Sequence, residues 1–275
     1  MGAASGFHSR TSLAQAAAAT ETCGRNIIVA VIDSGWDRAQ PEPRVVPGFD
    51  LVDPDDFTRV RQGLDDHDCH GHGTACAQLI LQVAPDARVM PVRVFGRRLE
   101  TTVAHLEMAV RVATEHGASV ISMSLATILP EALVPLYRVC ETATRRGVLI
   151  VAAAYRPRQD GYPAVFENVI GVEAGSVDSS EAFRYREGEA IECVATGASP
   201  QPGPLHRGGH TLPSHGYGSN SFATARMAGM LARFRAARPA GDIAEARRWL
   251  AAYAFEPEET NDIPTAGGAD IGNVD

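Results

Sequence analysis

Ile27-Ile28-Val29-Ala30-Val31-Ile32-Asp33 is the stretch that decides the fold class of this chain. It is apolar and mostly β-branched up to Asp33, and the turn-forming pair Ser34-Gly35 follows. A continuous apolar run of this length is typical of a strand that is buried on both faces of a sheet. Such strands belong to parallel sheets, because the helices that connect parallel strands cover the faces.

Later segments repeat this character, and the segments between them show helical spacing of apolar residues. The predicted strands are residues 26–33, 88–95, 119–125, 148–154 and 168–174. The predicted helices are residues 102–116 and 131–146, and each runs into a glycine. Alternating strands and helices are what βαβ units produce. We therefore predict an α/β fold with three layers, in which a mostly parallel sheet carries helices on both faces.

Three short motifs bring an acid, a base and a nucleophile to the ends of such elements. Asp33 ends the first predicted strand, His72 lies between Gly71 and Gly73, and Ser221 precedes an Ala- and Met-rich helical run. Serine is a poor nucleophile until an imidazole takes its proton, and that imidazole needs a carboxylate on its other nitrogen. Each motif alone is common in turns. Together, in the order Asp, His, Ser, they match one known order of this triad and predict serine-hydrolase chemistry.

The strand pattern also places candidate binding segments beside the predicted acid. Ligands of parallel sheets bind outside the carboxyl ends of the strands. Asp33 ends one strand, and residues 124–127 and 154–156 follow two others. We therefore expect these segments along one edge of the sheet.

Composition limits the number of domains and the class of partner. With 275 residues, 45% of them apolar, the chain can bury the core of one large domain. A net charge of −8 and scattered arginines argue against nucleic acid, since phosphate binding needs clustered cations. Residues 1–20 lack the pattern of a signal peptide, and no run reaches the length of a membrane span. We expect a cytoplasmic monomer that contacts no membrane, while a secreted protein trimmed of its leader would show the same sequence and stays an alternative.

The cysteines fit a reducing compartment. They are odd in number and widely spread, which is unlike a disulfide framework. The five residues are Cys23, Cys69, Cys76, Cys140 and Cys193. We expect reduced thiols.

From about residue 26 to its end, the chain resembles the subtilase family of serine endopeptidases, to which subtilisin and proteinase K belong. Besides the three triad motifs, several segments match family motifs in family order. They are Ser122-Met123-Ser124-Leu125, Val151-Ala152-Ala153-Ala154, Tyr162-Pro163-Ala164, Val177-Asp178-Ser179-Ser180 and Ala195-Thr196-Gly197. We accordingly predict a subtilisin-like peptidase domain over residues 26–275, after an N-terminal extension of residues 1–25. Residues 256–275 form an acidic tail rich in glycine and proline.

The resemblance implies roles for individual residues. Ser221 would be the nucleophile, His72 the general base and then acid, and Asp33 the carboxylate that orients the imidazole. The substrate would be a polypeptide that pairs in extended form with protein strands. No cofactor would be required, and structural calcium, which the sequence does not reveal, stays an open possibility. The implied substrate-binding residues are Gly96, Leu99, Ser124, Leu125, Ala126, Thr127, Ala153, Ala154 and Arg158.

The chain departs from the family at the oxyanion hole. The family follows its Ala-Ala-Ala run with Gly-Asn, whereas this chain has Tyr155-Arg156. Loss of such an amide donor lowers the rate on the order of 100- to 1,000-fold. The candidates to replace it are Asn220, Arg156 and Tyr155. We place Asn220 first, because an arginine in an apolar site carries a desolvation penalty unless it is paired.

Changes near the expected cleavage site suggest a narrowed specificity pocket. Ala126-Thr127 stands where the family has glycine, and Arg156 and Arg158 lie in the loop that closes this pocket in relatives. We therefore expect a small or acidic residue before the cleaved bond.

Three other interpretations stay open. Residues 65–72, with Cys76, contain enough His, Cys and Asp for a metal site, but no second cluster has zinc spacing. The altered oxyanion segment is also compatible with a peptide-binding protein that has lost turnover. A transpeptidase or macrocyclase, in which an amine resolves the acyl-enzyme, would need an insertion that shields the intermediate from water.

Overall fold

A computed structural model describes residues 24–52, 60–63, 68–155, 161–177, 179, 181–200 and 219–255, and the backbone of 206–207 and 210–211. The predicted tail, residues 256–275, and almost all of the predicted N-terminal extension lie outside the described residues.

The described chain forms a nine-stranded sheet of predominantly parallel strands, which confirms the predicted fold class. The spatial order of the strands is β3-β2-β4-β1-β5-β6-β7-β9-β8. Only the β2–β3 and β8–β9 pairs at its two edges are antiparallel. The strands are β1 (Ile28–Asp33), β2 (Phe49–Asp50), β3 (Arg61–Gln62), β4 (Arg88–Arg93), β5 (Val120–Met123), β6 (Leu149–Ala153), β7 (Ile170–Ala174), β8 (Phe183–Tyr185) and β9 (Cys193–Ala195).

Five helices and a small hairpin complete the described elements. The hairpin pairs β10 (His206–Arg207) with β11 (His210–Thr211). The helices are α1 (His72–Val83), α2 (Val103–Glu115), α3 (Pro130–Arg145), α4 (Asn220–Ala237) and α5 (Ile243–Tyr253). Each helix predicted from periodicity is present within one residue of its expected start.

Alternate residues of β1 face two separate cores. Val29 and Val31 pack in the cluster that contains α1 and α4, whereas Ala30 and Ile32 pack in the cluster that contains α2 and α3. All four are at most 1% exposed. Because successive side chains of a strand point to opposite faces, an unbroken apolar run is what a sheet covered on both sides requires.

Three of the five predicted strands, those over residues 88–95, 119–125 and 148–154, overshoot the observed ones at their carboxyl ends. Residues 119–125 were expected as one strand, but β5 ends at Met123. Met123 makes the last pairings, with Ile32 of β1 and Ala152 of β6. Beyond it the chain leaves the sheet, and outside such strand ends parallel sheets form the crevice in which their ligands bind.

The elements that carry the triad meet at this carboxyl edge. Asp33 is the last residue of β1, His72 is the first residue of α1, and Ser221 is the second residue of α4. Helices α1 and α4 pack on one another over the same face of the sheet.

Candidate active site

The acid and the base form a hydrogen-bonded pair. His72 Nδ1 lies 2.8 Å from Asp33 Oδ1 and 2.9 Å from Asp33 Oδ2. The Asp33 side chain is fully buried, and that of His72 is 13% exposed. The carboxylate therefore holds the Nδ1–H tautomer and leaves Nε2 as the basic nitrogen.

Ser34 forms hydrogen bonds that hold Asp33 and the start of α1 in position. Its backbone N–H and its hydroxyl both donate to Asp33 Oδ1, at 2.7 and 3.1 Å. The same hydroxyl accepts from the backbone N–H of Gly73, at 3.0 Å. A Cβ on Gly73 would lie 2.5 Å from the Gly35 carbonyl oxygen, so only glycine allows this approach. The end of β1 and the start of α1 are thus locked together.

The loop before His72 is built around a buried carboxylate, that of Asp68. Asp68 Oδ1 accepts from the backbone N–H groups of His70 and Gly71. Asp68 Oδ2 accepts from the backbone N–H and the hydroxyl of Thr74, at 2.8 and 2.7 Å. Because the first N–H groups of a helix lack intrahelical partners, this carboxylate fixes the turn that presents His72.

Charge around His72 determines its protonation. Burial lowers the pKa of His72, but the adjacent Asp33 carboxylate outweighs burial and raises that pKa well above its ordinary value. A strongly basic Nε2 is suited to accept a proton from a hydroxyl. The same shift means that the imidazole stays protonated, and inactive as a base, to a higher pH.

Ser221 sits beside the base at the start of α4. The rings of His72 and Phe222, the residue after Ser221, are stacked with centroids 5.6 Å apart. Among the described residues, the Ser221 hydroxyl donates to the Ser124 carbonyl at 3.3 Å, not to His72. The hydroxyl must therefore turn toward Nε2 before proton transfer, and such loose geometry is common without substrate.

Asn220, placed first as the oxyanion donor, has another task in the structure. Its Nδ2 donates to the Ala154 carbonyl, and its Oδ1 accepts from the Ala174 backbone N–H, both at 2.8 Å. The side chain thus ties the start of α4 to β6 and β7. These bonds count against Asn220 as the group that meets the developing negative charge.

Of the other two expected oxyanion donors, Tyr155 and Arg156, the first lies among the described residues. Tyr155 is half-buried at the end of β6, next to the crevice. Arg156 and Arg158 lie outside the described residues. The backbone N–H of Ser221 points to the hydroxyl of Ser219, at 3.2 Å, so an oxyanion would have to displace that hydroxyl to use this donor.

The segment after β5 provides an open edge for an extended peptide. Within the described part of the chain, the backbone groups of Leu125 and Ala126 have no backbone partner. Thr127 differs, because it exchanges two backbone hydrogen bonds with Tyr162, at 3.0 and 2.7 Å. The pairing edge is therefore Leu125 and Ala126, and Thr127 belongs to the wall of the crevice.

The remaining residues expected to bind substrate surround this edge. Ala153 and Ala154 are buried at the end of β6, and the Ala154 backbone bonds to Val172 and Asn220. Gly96 accepts a hydrogen bond from His70 Nε2 at 2.7 Å. Leu99 is 49% exposed. The structure thus places Gly96 against the His72 loop and leaves Leu99 accessible to a ligand.

The interpretation of residues 65–72 as a metal site gains little support from the part of this segment that the structure describes, residues 68–72. The Asp68 carboxylate and the His70 Nε2 atom are already hydrogen-bonded to protein. Across the described chain, one group of three residues brings potential ligand atoms within 4.8 Å of one another, namely Asp33, His72 and Cys76. Two of its members are the acid and the base themselves.

Cys76 lies buried beneath the base. Its Sγ is 3.9 Å from His72 Nδ1 and 3.5 Å from Ser124 Oγ. Burial raises the pKa of Cys76, so the thiol stays protonated at neutral pH. This agrees with a packed thiol and not with a cysteine nucleophile.

Sequence reasoning missed the supporting residues Ser34 and Asp68 and the bracing by Asn220. Asp68 had a usable signal, since an acid just before a helix start, followed by threonine, is typical of N-terminal capping. Ser34 and Asn220 had none, because their partners are distant in sequence or are backbone groups.

Comparison with known proteins agrees with this geometry. The profile described as the subtilase family matches residues 24–268. Subtilisin DY of Bacillus licheniformis is 27% identical, with 84% of each chain covered. Subtilisin Savinase of Lederbergia lenta is 28% identical, over 86% of this chain and 87% of that protein. The alkaline protease of Alkalihalobacillus alcalophilus is also 28% identical, but only 61% of its length is covered.

Solved structures show the same fold. A cold-adapted subtilisin-like serine proteinase has a TM-score of 0.64 at 22% identity, with 84% of this chain and 83% of that chain covered. Fervidolysin from Fervidobacterium pennivorans has a TM-score of 0.63 at 24% identity, with 86% of this chain covered. This chain spans 40% of fervidolysin. A lanthipeptide protease has a TM-score of 0.60 at 18% identity, covering 83% of this chain and 80% of that one.

No helix among the described residues is both long and apolar enough to cross a membrane. The profile match spans most of the chain, and the acid, base and serine converge at one sheet edge. The chain belongs to the subtilase family of serine endopeptidases.

Proposed function

We propose that this protein is a processing protease with few substrates, which cuts a peptide bond through an acyl-enzyme on Ser221. The observation that carries the proposal is the convergence of three groups at one sheet edge. Asp33 is bonded to His72 Nδ1, and the His72 ring stacks on the residue after Ser221.

The chemistry follows from these positions. Ser221 Oγ attacks the carbonyl carbon of the peptide bond while His72 Nε2 takes the hydroxyl proton. The Asp33 carboxylate stabilises the imidazolium that forms. As the tetrahedral intermediate collapses, His72 gives its proton to the leaving amine and the acyl-enzyme remains. Water then attacks the ester with His72 as base, which releases the acid and restores the Ser221 hydroxyl.

The oxyanion requires donors that replace the family's asparagine. The candidates are Tyr155, which follows β6, the backbone N–H of Ser221, and Arg156, which follows Tyr155 in sequence. Because Asn220 is engaged elsewhere, we assign this role to the segment of Tyr155 and Arg156. Fixed donors of this kind stabilise the developing charge in a site that excludes water.

The substrate edge supports a peptide ligand. Leu125 and Ala126 offer backbone donors and acceptors to an extended chain, so binding by strand addition fits this site. One structural neighbour is a lanthipeptide protease, and we propose a comparable task of cutting a peptide precursor.

We also propose that the protein acts in a reducing compartment such as the cytoplasm. Within the described chain, Cys69, Cys76, Cys140 and Cys193 are free, and the last three are buried, which fits a cell interior better than an oxidising one. Monomeric state, independence from cofactors and absence of nucleic-acid or membrane partners stay predictions.

Mass spectrometry of cleavage products tests the proposal. The purified protein, with Ser221→Ala as a matched control, is incubated with a peptide library derived from a bacterial proteome. We expect few cut sites, all of them lost in the control. Widespread cutting would indicate a degradative protease. Peptide retention without cutting would indicate the binding protein, and products joined to an added amine would indicate a transpeptidase.

A further inference from the structure

Tyr155 follows β6 at the carboxyl edge of the sheet, where a crevice for ligands is expected beside the nucleophile. This crevice begins where β5 and β6 end, after the pairing of Met123 with Ala152. The start of α4 lies across both strand ends. Ser221 Oγ is 3.3 Å from the Ser124 carbonyl oxygen, and Asn220 Nδ2 is 2.8 Å from the Ala154 carbonyl oxygen.

A peptide in position for attack must direct one side chain into this crevice. Its scissile carbonyl lies at Ser221, and its backbone upstream of the cut pairs with Leu125 and Ala126. Side chains of an extended chain alternate between its two faces. The residue immediately before the cut therefore projects between the segment after β5 and the segment after β6, which ends in Tyr155.

Tyr155 packs closely against the Gly161 backbone. A Cβ placed on Gly161 would lie 2.5 Å from Tyr155 Cβ, 3.4 Å from Tyr155 Cγ and 3.4 Å from Ala126 Cβ. The two walls, Ala126 and Tyr155, therefore converge on the Gly161 backbone. Tyr155 Cβ and Cγ therefore lie beside Gly161 and Ala126, where the substrate side chain is expected to enter.

The walls are not free to open. Thr127, next to Ala126, exchanges two backbone hydrogen bonds with Tyr162, next to Gly161. The Tyr162 ring stacks on Phe166, with centroids 5.4 Å apart. On the other side, Asn220 holds the Ala154 carbonyl. These contacts hold the backbone beside Ala126, Gly161 and Ala154 in place.

We propose that Tyr155 is a specificity-determining residue that restricts cleavage to bonds after glycine, alanine or serine. This inference rests on the proposed endopeptidase function and adds the size of the accepted residue. Selection by charge would have a different result, because the arginines at positions 156 and 158 would favour an acidic residue before the cut.

The rate at which Ser221 is phosphonylated tests the inference in the wild-type protein. Three peptidyl diphenyl phosphonates are compared, with an alanine, a phenylalanine or an aspartate analogue next to phosphorus. We expect the alanine compound to react at least about tenfold faster than the other two, the range in which pocket size discriminates. A faster phenylalanine compound would overturn the inference. A faster aspartate compound would also overturn it and assign selection to charge.

Two variants separate the ring from the hydroxyl. Tyr155→Gly removes the ring and should abolish or reverse the preference for alanine over phenylalanine. Tyr155→Phe retains the ring and should keep that preference. An unchanged ratio in Tyr155→Gly would overturn the inference, and the wild-type ratio decides alone if this variant does not fold.

A small fluorophosphonate distinguishes failure of the inference from failure of the proposed function. If it labels Ser221 while no peptidyl compound reacts, the size preference is wrong and the nucleophile stands. If it does not label the folded protein either, the proposed function fails and the inference fails with it.

Discussion

His72 Nδ1 lies within hydrogen-bonding distance of both carboxylate oxygens of Asp33, at 2.8 and 2.9 Å, and the Asp33 side chain is fully buried. This relationship determines which nitrogen of His72 can act as a base. It also explains why the pKa of His72 is raised although burial alone would lower it.

Asp33→Asn should lower kcat by about 10,000-fold, since the amide holds the wrong tautomer and cannot stabilise the imidazolium. Steady-state kinetics on a peptide substrate measures this loss.

Because only neutral His72 accepts a proton, kcat/KM of the wild type should rise with pH, with a midpoint above the ordinary value of about 6.5. In Asp33→Asn the midpoint should move to lower pH. A wild-type midpoint below 6 would contradict the assigned electrostatics.

Asp68→Ala should destabilise the protein by about 1–2 kcal/mol, because several N–H groups at the start of α1 lose their acceptor. It should also lower kcat by up to about 100-fold with little change in KM, since His72 is less well held. Urea unfolding and kinetics give the two quantities. Asp68→Asn, which keeps one acceptor oxygen, should recover part of both. Equal losses in the two variants would argue against this role.

Asn220→Ala and Asn220→Asp should each lower the free energy of unfolding by about 1–3 kcal/mol. Alanine removes both hydrogen bonds of the brace, and aspartate keeps the bond from Ala174 but repels the Ala154 carbonyl. Thermal unfolding measures the effect. An oxyanion donor would behave differently: Asn220→Ala would lower kcat about 100- to 1,000-fold at unchanged stability, and that result would restore the first assignment.

Arg247→Ala should destabilise the protein by about 3 kcal/mol without changing kcat of the folded enzyme. Arg247 donates to both carboxylate oxygens of the buried Glu192 and to the carbonyls of Glu167 and Val169. Removing it leaves a buried carboxylate with less compensation.

Glu192→Gln in the Arg247→Ala background provides the control for that prediction, since it removes the stranded charge. Part of the lost stability should return in urea unfolding. If the double variant is no more stable than Arg247→Ala, the loss comes from packing and not from the unpaired carboxylate.

Much of the fold could be predicted because its central strands are continuous apolar runs. The interior of β1 alternates between two cores, and a strand covered on both faces buries every residue of 29–32. Strand ends were predicted less well. Ser124 and Leu125 continue the strand-like sequence of β5, but whether a strand continues depends on a neighbour that the local sequence does not reveal. Strands of two residues, such as β2, carry too little pattern to be detected.

The residues of the active site also divide into those that the sequence could predict and those that it could not. Asp33, His72 and Ser221 could be found because their chemistry requires particular residue types at element ends. The bracing role of Asn220 could not, because its partners are backbone atoms of Ala154 and Ala174, far away in sequence. The packing of Tyr155 on Gly161 likewise depends on where two loops converge.

Labelling of the folded protein by a fluorophosphonate tests the central claim most directly, because only an activated serine reacts rapidly. Intact and peptide mass spectrometry should show one adduct, on Ser221, whose rate falls strongly in Asp33→Asn and which is lost in His72→Ala. No adduct on the folded wild type, or equal labelling in His72→Ala, would contradict an Asp33–His72–Ser221 catalytic unit.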